Sequence, residues 1–430
     1  MFQDIEPPNR SNKERVGRRA YSNLGGQAIA RTREQISGIA KPLEPDETIS
    51  LDDSGGSPND RKKNLFRRLV NWWRGLNRNL RFGIISAILL LFGAGALGYY
   101  YLISPKGEPV LEITRQEKPQ PTTVASPLTG VQVEPELAQR PVTAIMIENS
   151  LAARPQSGLT EAGVVFEAIA EGGITRFLAL YQESQPQYIG PVRSLRPYYI
   201  DWAASFDASV AHVGGSPNAL KQIRSSGKDL DQFFNAGSYW RVSSRASPHN
   251  VYTSFAKLDA LNKKKGYKTS KFNPWPRKKD VKLDQPTATT IDIAVSSANF
   301  NVRYGYEPKD NTYLRRLGGK GHLSTRKERD AEPRQIHPNV VIVLVMSRSI
   351  VDSSGHNDYD TTGKGAAYIF QDGGVVKGTW IKKSRDSNFS FLDSAEKSLP
   401  LNAGQAWVTV VDSSSKVSYT APKPAASEAQ

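Results

Sequence analysis

Apolar positions are unevenly spaced along this 430-residue chain, and the spacing divides it into stretches of different character. Residues 1 to 60 are polar, carry both charges and end near the run DDSGGSPND, which predicts a disordered arm. In residues 61 to 81, Leu65, Leu69, Trp72, Trp73, Leu76 and Leu80 recur near helical spacing with Arg and Lys between them, predicting a basic amphipathic helix. Residues 82 to 104 are predominantly apolar. No charged residue occurs from Phe82 to Pro105, and that run is long enough for the about 20 residues a helix needs to cross a bilayer core. A secretory signal is the competing reading, but it fits poorly with the 81 residues before the run and the lack of a small-x-small cleavage site after it. Residues 105 to 139, rich in Pro, Thr, Gln and Glu, read as an extended tether.

Beyond the tether the pattern becomes that of a folded protein. From 140 to 283, VTAIMIEN, VVFEAIA, ITRFLALYQ and ASVAHV predict strands, and the Gly pair of EGG offers a tight reversal between two of them. DWAASF predicts a short helix. In GGSPNALKQIRSSG, Ser216 is placed as N-cap and Pro217 at the first helical position, with Gly227 past the end. SFAKLDALNKK predicts another helix. From 284 to 412 the pattern is β: TTIDIAV, NVRYGYE, TYLRRL, NVVIVLVM, GAAYIFQ, VVKGTWIKK and AWVTVV read as strands, with a hairpin turn at 372 to 374. Residues 413 to 430 read as a frayed tail. The expected fold class is α+β: a mixed α/β N-terminal domain, then a β-rich C-terminal domain, preceded by one transmembrane helix.

Charge then sets an orientation. Arg61, Lys62, Lys63, Arg67, Arg68, Arg74, Arg78 and Arg81 precede the apolar run, whereas mixed charges follow it, so the positive-inside rule puts the N-terminus in the cytoplasm and the folded region outside. Part of the net charge of +15 lies in this block, which suits an anionic leaflet and argues against nucleic acid. The expected partners are therefore the membrane, through Phe82 to Ile103 and the basic segment, and an anionic envelope component or a protein. With no cysteine and no HxxxH or HExxH spacing, the sequence predicts neither a thiolate nor a histidine metal site, and no cofactor motif is present.

Candidate chemistry concentrates between Arg154 and Asn250. Arg154, Arg176, Arg193 and Arg196 lie in or beside Gly- and Pro-rich turns and suit bidentate capture of carboxylate or phosphate; salt bridging to nearby carboxylates is the alternative. Gly214, Gly215 and Ser216 open a helix whose free N–H groups would attract an anion, unless they form only an ordinary capped turn. GGSPN lacks the Gly-x-Ser-x-Gly spacing, and Pro217 has no N–H, so Ser216 is a poor hydrolase nucleophile. Glu167 and Glu171 raise the question of a glycosidase pair. On a regular strand they share a face roughly 13 Å apart, beyond the about 6.5 to 9.5 Å of an inverting pair, with Glu148 and Asp201 as other partners. His212 and His249 are candidate acids or bases, or hydrogen-bonded structural residues.

The blocks RPVTAIMIENSLAARPQSGL, FEAIAEGGITRFLALYQ, IGPVRSLRPYYIDWA, HVGGSPNAL and RASPHNVY, then GAAYIFQDGGVVKGTWIKKS and PLNAGQAWVTV, resemble the YerB-like extracytoplasmic lipoproteins over roughly residues 140 to 412. That resemblance implies a two-part domain without a defined reaction. It also draws attention to Asn149, Arg245 and Asn250 beside the residues above. Those lipoproteins are tethered through a cysteine, which this chain lacks, so the apolar helix stands where the lipid anchor would be. The expectation is a membrane-anchored binding or scaffolding module of the cell envelope. The alternative is an envelope-remodelling hydrolase or lyase using His and Glu as acid and base.

Overall fold

The computed structural model describes residues 58–103 and 122–422; the expected arm up to residue 57, most of the tether and the last eight residues lie outside them. Two units result, each taken by itself. The first is a helix pair, α1 (Pro58–Gly75) and α2 (Arg78–Ile103). The break falls at Leu76–Asn77 rather than at 81, because the Asn77 side chain caps the second helix by accepting from the Leu80 N–H at 2.9 Å. Arg78 to Arg81 therefore belong to α2, which is apolar and long enough to cross a membrane.

The second unit is built on one ten-stranded sheet. Its first five strands are β1 (Thr143–Glu148), β2 (Val164–Glu171), β3 (Ile174–Tyr181), β4 (Ser209–His212) and β5 (Lys228–Asp231). Four antiparallel strands that belong elsewhere follow: β6 (Thr290–Ile293), β7 (Val302–Glu307), β8 (Thr312–Leu317) and β9 (Lys320–Gly321). The chain then returns with β10 (Val340–Val345), β11 (Gly363–Gln371), β12 (Gly374–Lys382), β13 (Ser390–Leu392) and β14 (Ala406–Val411), and ends on β15 (Val417–Thr420). The large sheet has the order β13-β12-β11-β10-β14-β2-β3-β1-β4-β5; the second sheet has the order β9-β8-β7-β6-β15. The fold is α+β, with the expected mixed and β-rich segments in sequence. The large sheet crosses the boundary between them where β14 pairs in parallel with β2.

Continuous apolar runs form the central strands because both faces of the sheet are covered. On one face lie α3 (Pro197–Ala204) and α4 (Pro217–Ser226), with Tyr198, Tyr199, Trp202 and Ile223 in the core. On the other lie α5 (Phe255–Lys265) and the second sheet, through Phe255, Leu258, Ile291, Tyr304 and Tyr313. α3 starts four residues before the expected DWAASF because Arg196 is extended and Pro197 opens the helix. At EGG, Gly172 and Gly173 take φ of +56° and +75°, as a two-residue hairpin between β2 and β3 requires.

Both ends of the folded unit extend past their expected limits. Val124–Ala125 and Gln132–Val133 form a small hairpin, and Leu128 between them is buried, its N–H bonded to Gln182 Oε1 at 3.1 Å. Residues 122 to 139 therefore belong to the fold rather than to the tether. At the other end, β15 pairs with β6 beyond residue 412, in what was expected to be the tail. Both pieces are fixed by tertiary contacts that a Pro-, Thr- and Ser-rich composition conceals.

Candidate functional site

β1 and β2 run in the same direction, with β3 antiparallel between them, so the carboxyl ends of β1 and β2 meet the start of β3 at one edge of the sheet. In open α/β sheets this edge is where ligands bind. Glu148 ends β1, Glu171 ends β2 and Arg176 is the third residue of β3. Residues 189 to 196 form a ribbon across the end of β1, bonded through Arg193 N–H to Met146 O at 2.9 Å and Leu195 N–H to Gly214 O at 3.0 Å. That ribbon brings Arg193 and Arg196 to the same edge.

The three arginines are not equivalent. Arg176 and Arg196 are buried and both grip Glu171, Arg196 at 2.8 Å; Arg176 also donates to Ser194 O at 3.1 Å and Arg196 to Leu195 O at 2.7 Å. Burial alone would raise the Glu171 carboxyl, but the two guanidiniums outweigh it and hold it below its ordinary value. Arg193 is 27% exposed, and its nearest carboxylate, Glu148, lies 3.6 Å away. Its guanidinium makes no hydrogen bond to any described residue, and its buried Nε has only this longer contact with Glu148. Burial lowers the pKa of Arg193, with Glu148 opposing and Arg176 adding to the effect. A guanidinium taken partly out of water without its hydrogen bonds is poised for an anion.

His249 reaches the same edge, its Nδ1 2.9 Å from Glu148 Oε2 and 3.3 Å from Ser150 Oγ. Serine and carboxylate thus share one ring nitrogen, whereas a nucleophile relay needs them on opposite nitrogens. Donation from Nδ1 to Glu148 leaves Nε2 as the ring's available base.

Several expected site residues turn out to be structural. Glu167 is fully buried and pairs with the fully buried Arg315 at 2.7 Å, while also accepting from Thr175 and Trp407 Nε1, both at 3.2 Å. A register shift between Ile169 and Glu171 breaks the two-residue alternation, so the glycosidase pairing of Glu167 with Glu171 fails: one carboxylate is neutralised in the core, the other clamped at the edge. His212 is fully buried between Gly214 O at 2.8 Å and Asp229 Oδ1 at 3.0 Å, with no open route for acid–base work. Arg154 bonds Asn149 and Asn299 O and lies over the Phe300 ring, joining two parts of the fold. Arg245 likewise straps Ala152 O and Pro155 O. Asn250 accepts from Arg241 at 2.7 Å and donates to Val242 O, so it shapes its own loop.

At Gly214, Gly215 and Ser216 the capped turn forms as expected, with Ser216 Oγ accepting from Ala219 N–H, but it is not an open anion cradle. The Gly214 N–H donates to the buried Asp231 carboxylate at 3.0 Å and the Ser216 N–H to Leu195 O at 3.2 Å. The anion the turn attracts is supplied from within the chain. Gly214 has φ +59°, and a Cβ there would meet the Phe233 ring at 3.0 Å. Gly214→Ala is expected to cost about 1 to 2 kcal/mol in urea unfolding; an unchanged midpoint would show that the turn relaxes freely.

A cavity of about 340 Å³ beside α3 and α4, lined by Ile200, Asp207, Lys228 and Arg385, and one of about 220 Å³ lined by Glu161, Glu183 and His337, contain none of the expected site residues. At the arginine edge Glu171, Arg193 and His249 are half-buried and form a ledge over the buried Glu148, Arg176 and Arg196. Glu148 is the ledge residue with the weakest sequence signal; its mark is a carboxylate that follows the apolar run AIMI at the end of β1.

Comparison with known proteins supplies the class. The families described as the N-terminal and C-terminal domains of a protein of unknown function, DUF3048, match residues 128–268 and 291–408. The chain belongs to this YerB-like, two-part DUF3048 family. It is 33% identical over 301 residues, 66% of this chain and 86% of the relative, to "Putative lipoprotein YerB" of Bacillus subtilis (strain 168). The crystal structure of the YerB protein from Bacillus subtilis matches with a TM-score of 0.62 and 31% identity, covering 69% of this chain and 99% of that one.

Proposed function

We propose that this protein is a membrane-anchored, extracytoplasmic envelope module that binds an anionic ligand at the ledge formed by Glu148, Glu171, Arg176, Arg193, Arg196 and His249. One observation carries the reading: Arg193 is the guanidinium of the three left without a hydrogen bond, beside two that Glu171 already holds. The clamp keeps Arg176 and Arg196 in place, and Arg193 is available for a carboxylate or phosphate. The address rests on the apolar helix α2, on the basic residues before it, and on the relative named as a lipoprotein. The YerB chain corresponds to the folded unit almost end to end, which supports residues 122–422 as an independently folding piece.

Titration of purified residues 122–422 with inorganic phosphate and with citrate, followed by calorimetry, tests the binding. Arg193→Gln is expected to weaken both by at least about tenfold, as loss of a charge-assisted bidentate contact does. The melting temperature should move little, because the Arg193 side chain makes no hydrogen bond in the fold and touches only Glu148, at 3.6 Å. Equal binding by parent and variant would sink the assignment. A second reading, acid–base turnover of an envelope fragment, is favoured by His249 on Glu148. Mass spectrometry of wall fragments recovered from incubation with the same preparations decides it: a chemical change lost in His249→Ala would establish an enzyme, and unchanged fragments would remove that reading.

A further inference from the structure

Two strands away from Glu148, on the same edge, Phe233 and Phe234 are 70% and 69% exposed. Adjacent aromatic side chains this bare on a folded protein mark a contact surface. Loose loops also expose phenylalanines, but this turn is held by a set of hydrogen bonds. The fully buried Asp231 carboxylate accepts from Gly214 N–H at 3.0 Å and Phe233 N–H at 3.2 Å. Its backbone carbonyl accepts from Phe234 N–H at 3.2 Å and Asn235 Nδ2 at 2.7 Å. Arg224 lies over the Phe234 ring at 5.0 Å, and the Phe233 ring packs against Gly214. The buried Asp231, the buried His212 on Gly214 O at 2.8 Å and the positive-φ Gly214 thus fix the backbone that carries the two exposed rings, so little backbone ordering remains to be done when they are covered.

This turn joins the arginine ledge through the backbone. Gly214 O accepts from Leu195 N–H, between Arg193 and Arg196, and Val213 N–H donates to Arg193 O. β1, β4 and β5 are consecutive in the sheet and Asp231 is level with Met146, so the ends of β1 and β5 lie roughly 12 Å apart, from about 4.8 Å per strand and about 3.3 Å per residue. Leu151, 58% exposed, follows the end of β1 and adds apolar surface. A ledge with a free guanidinium and an apolar finger one short alkyl chain away fits one chemical class. We infer that the ligand is an amphiphile: an anionic head, phosphate or carboxylate, taken by Arg193, and an apolar chain laid against Phe233 and Phe234. This inference rests on the anion-binding reading and specifies the rest of the ligand.

The test is a series of soluble probes against residues 122–422: inorganic phosphate, butyl phosphate, octyl phosphate below its micelle concentration, and octyl glucoside as a neutral chain. The dissociation constant is expected to fall about two- to fourfold per added methylene, the range set by partial to full burial of each CH₂. Phe233→Ala/Phe234→Ala should collapse the octyl-to-butyl ratio towards one while inorganic phosphate still binds, and Arg193→Gln should weaken every phosphate. Equal affinity for all phosphates would overturn the amphiphile and leave the anion site standing. Octyl glucoside binding as tightly as octyl phosphate would reduce the finger to a general apolar patch and overturn it too. So would capture by phosphatidylglycerol vesicles without chain-length dependence among the soluble probes, since the finger would then be a membrane contact. No binding of any phosphate would fail the underlying reading instead.

Discussion

Arg315→Ala is expected to destabilise the folded unit by about 3 to 5 kcal/mol, the range for removing one partner of a buried ion pair. Arg315 is fully buried, its guanidinium 4.2 Å from the Trp407 ring centroid, 2.7 Å from Glu167 Oε2 and 2.9 Å from His322 Nδ1. Burial, with Arg315 alongside, pushes the His322 imidazole well below its usual value, so the ring is neutral and its Nε2–H donates to Gln156 Oε1 at 3.0 Å. One side chain from β8 in the second sheet therefore neutralises a carboxylate on β2 and aligns a histidine. Its loss would strand Glu167 in the core with only neutral hydrogen-bond donors. Chemical denaturation should show the drop. Glu167→Met/Arg315→Met should lie closer to the parent than either single change, because an apolar pair of similar volume leaves no buried charge. A double variant less stable than both singles would show that the ion pair itself drives the joining of the sheets.

Most of the fold was legible in the sequence because apolar periodicity reports burial directly. TAIMIE, VVFEAIAE and VVIVLV are central strands, and Ser216–Pro217 starts a helix, as spacing and capping chemistry indicate. What stayed hidden depends on partners distant in sequence. Composition placed residues 122 to 139 in a tether because nothing local reveals that Gln182 and Arg277 will bond around Leu128. At the site, residue type alone could not separate Glu167 from Glu171, or Arg154 from Arg193. Each pair shares its chemistry and differs only in what the fold puts opposite it: Arg315 for Glu167, and no hydrogen-bond partner for Arg193. The convergence of Arg176, Arg193 and Arg196 was visible because they flank turns at strand ends. The loss of Gly214 to Ser216 as an anion site was not, because Asp231 arrives from the next strand.

Glu171→Gln separates the clamp from the free guanidinium. Arg176 and Arg196 are 6% and 5% exposed, and Glu171 is the carboxylate both contact. Removing its charge at constant shape leaves two buried cations without a counter-ion, a loss of about 3 kcal/mol. The sign with pH follows from the depressed Glu171 carboxyl. Its contribution is complete above the unfolded value of about 4.3 and disappears as pH falls through the lower folded value. The parent should lose stability over that acid window, and the variant should show a flatter profile there. Phosphate affinity at neutral pH should move the other way, rising severalfold, because the ledge gains one net positive charge while Arg193 keeps its place. A variant that unfolds earlier yet binds more tightly is what a carboxylate serving as a clamp requires. If binding and stability fell together, Glu171 would instead be holding Arg193 in position, and the ledge would act as one unit.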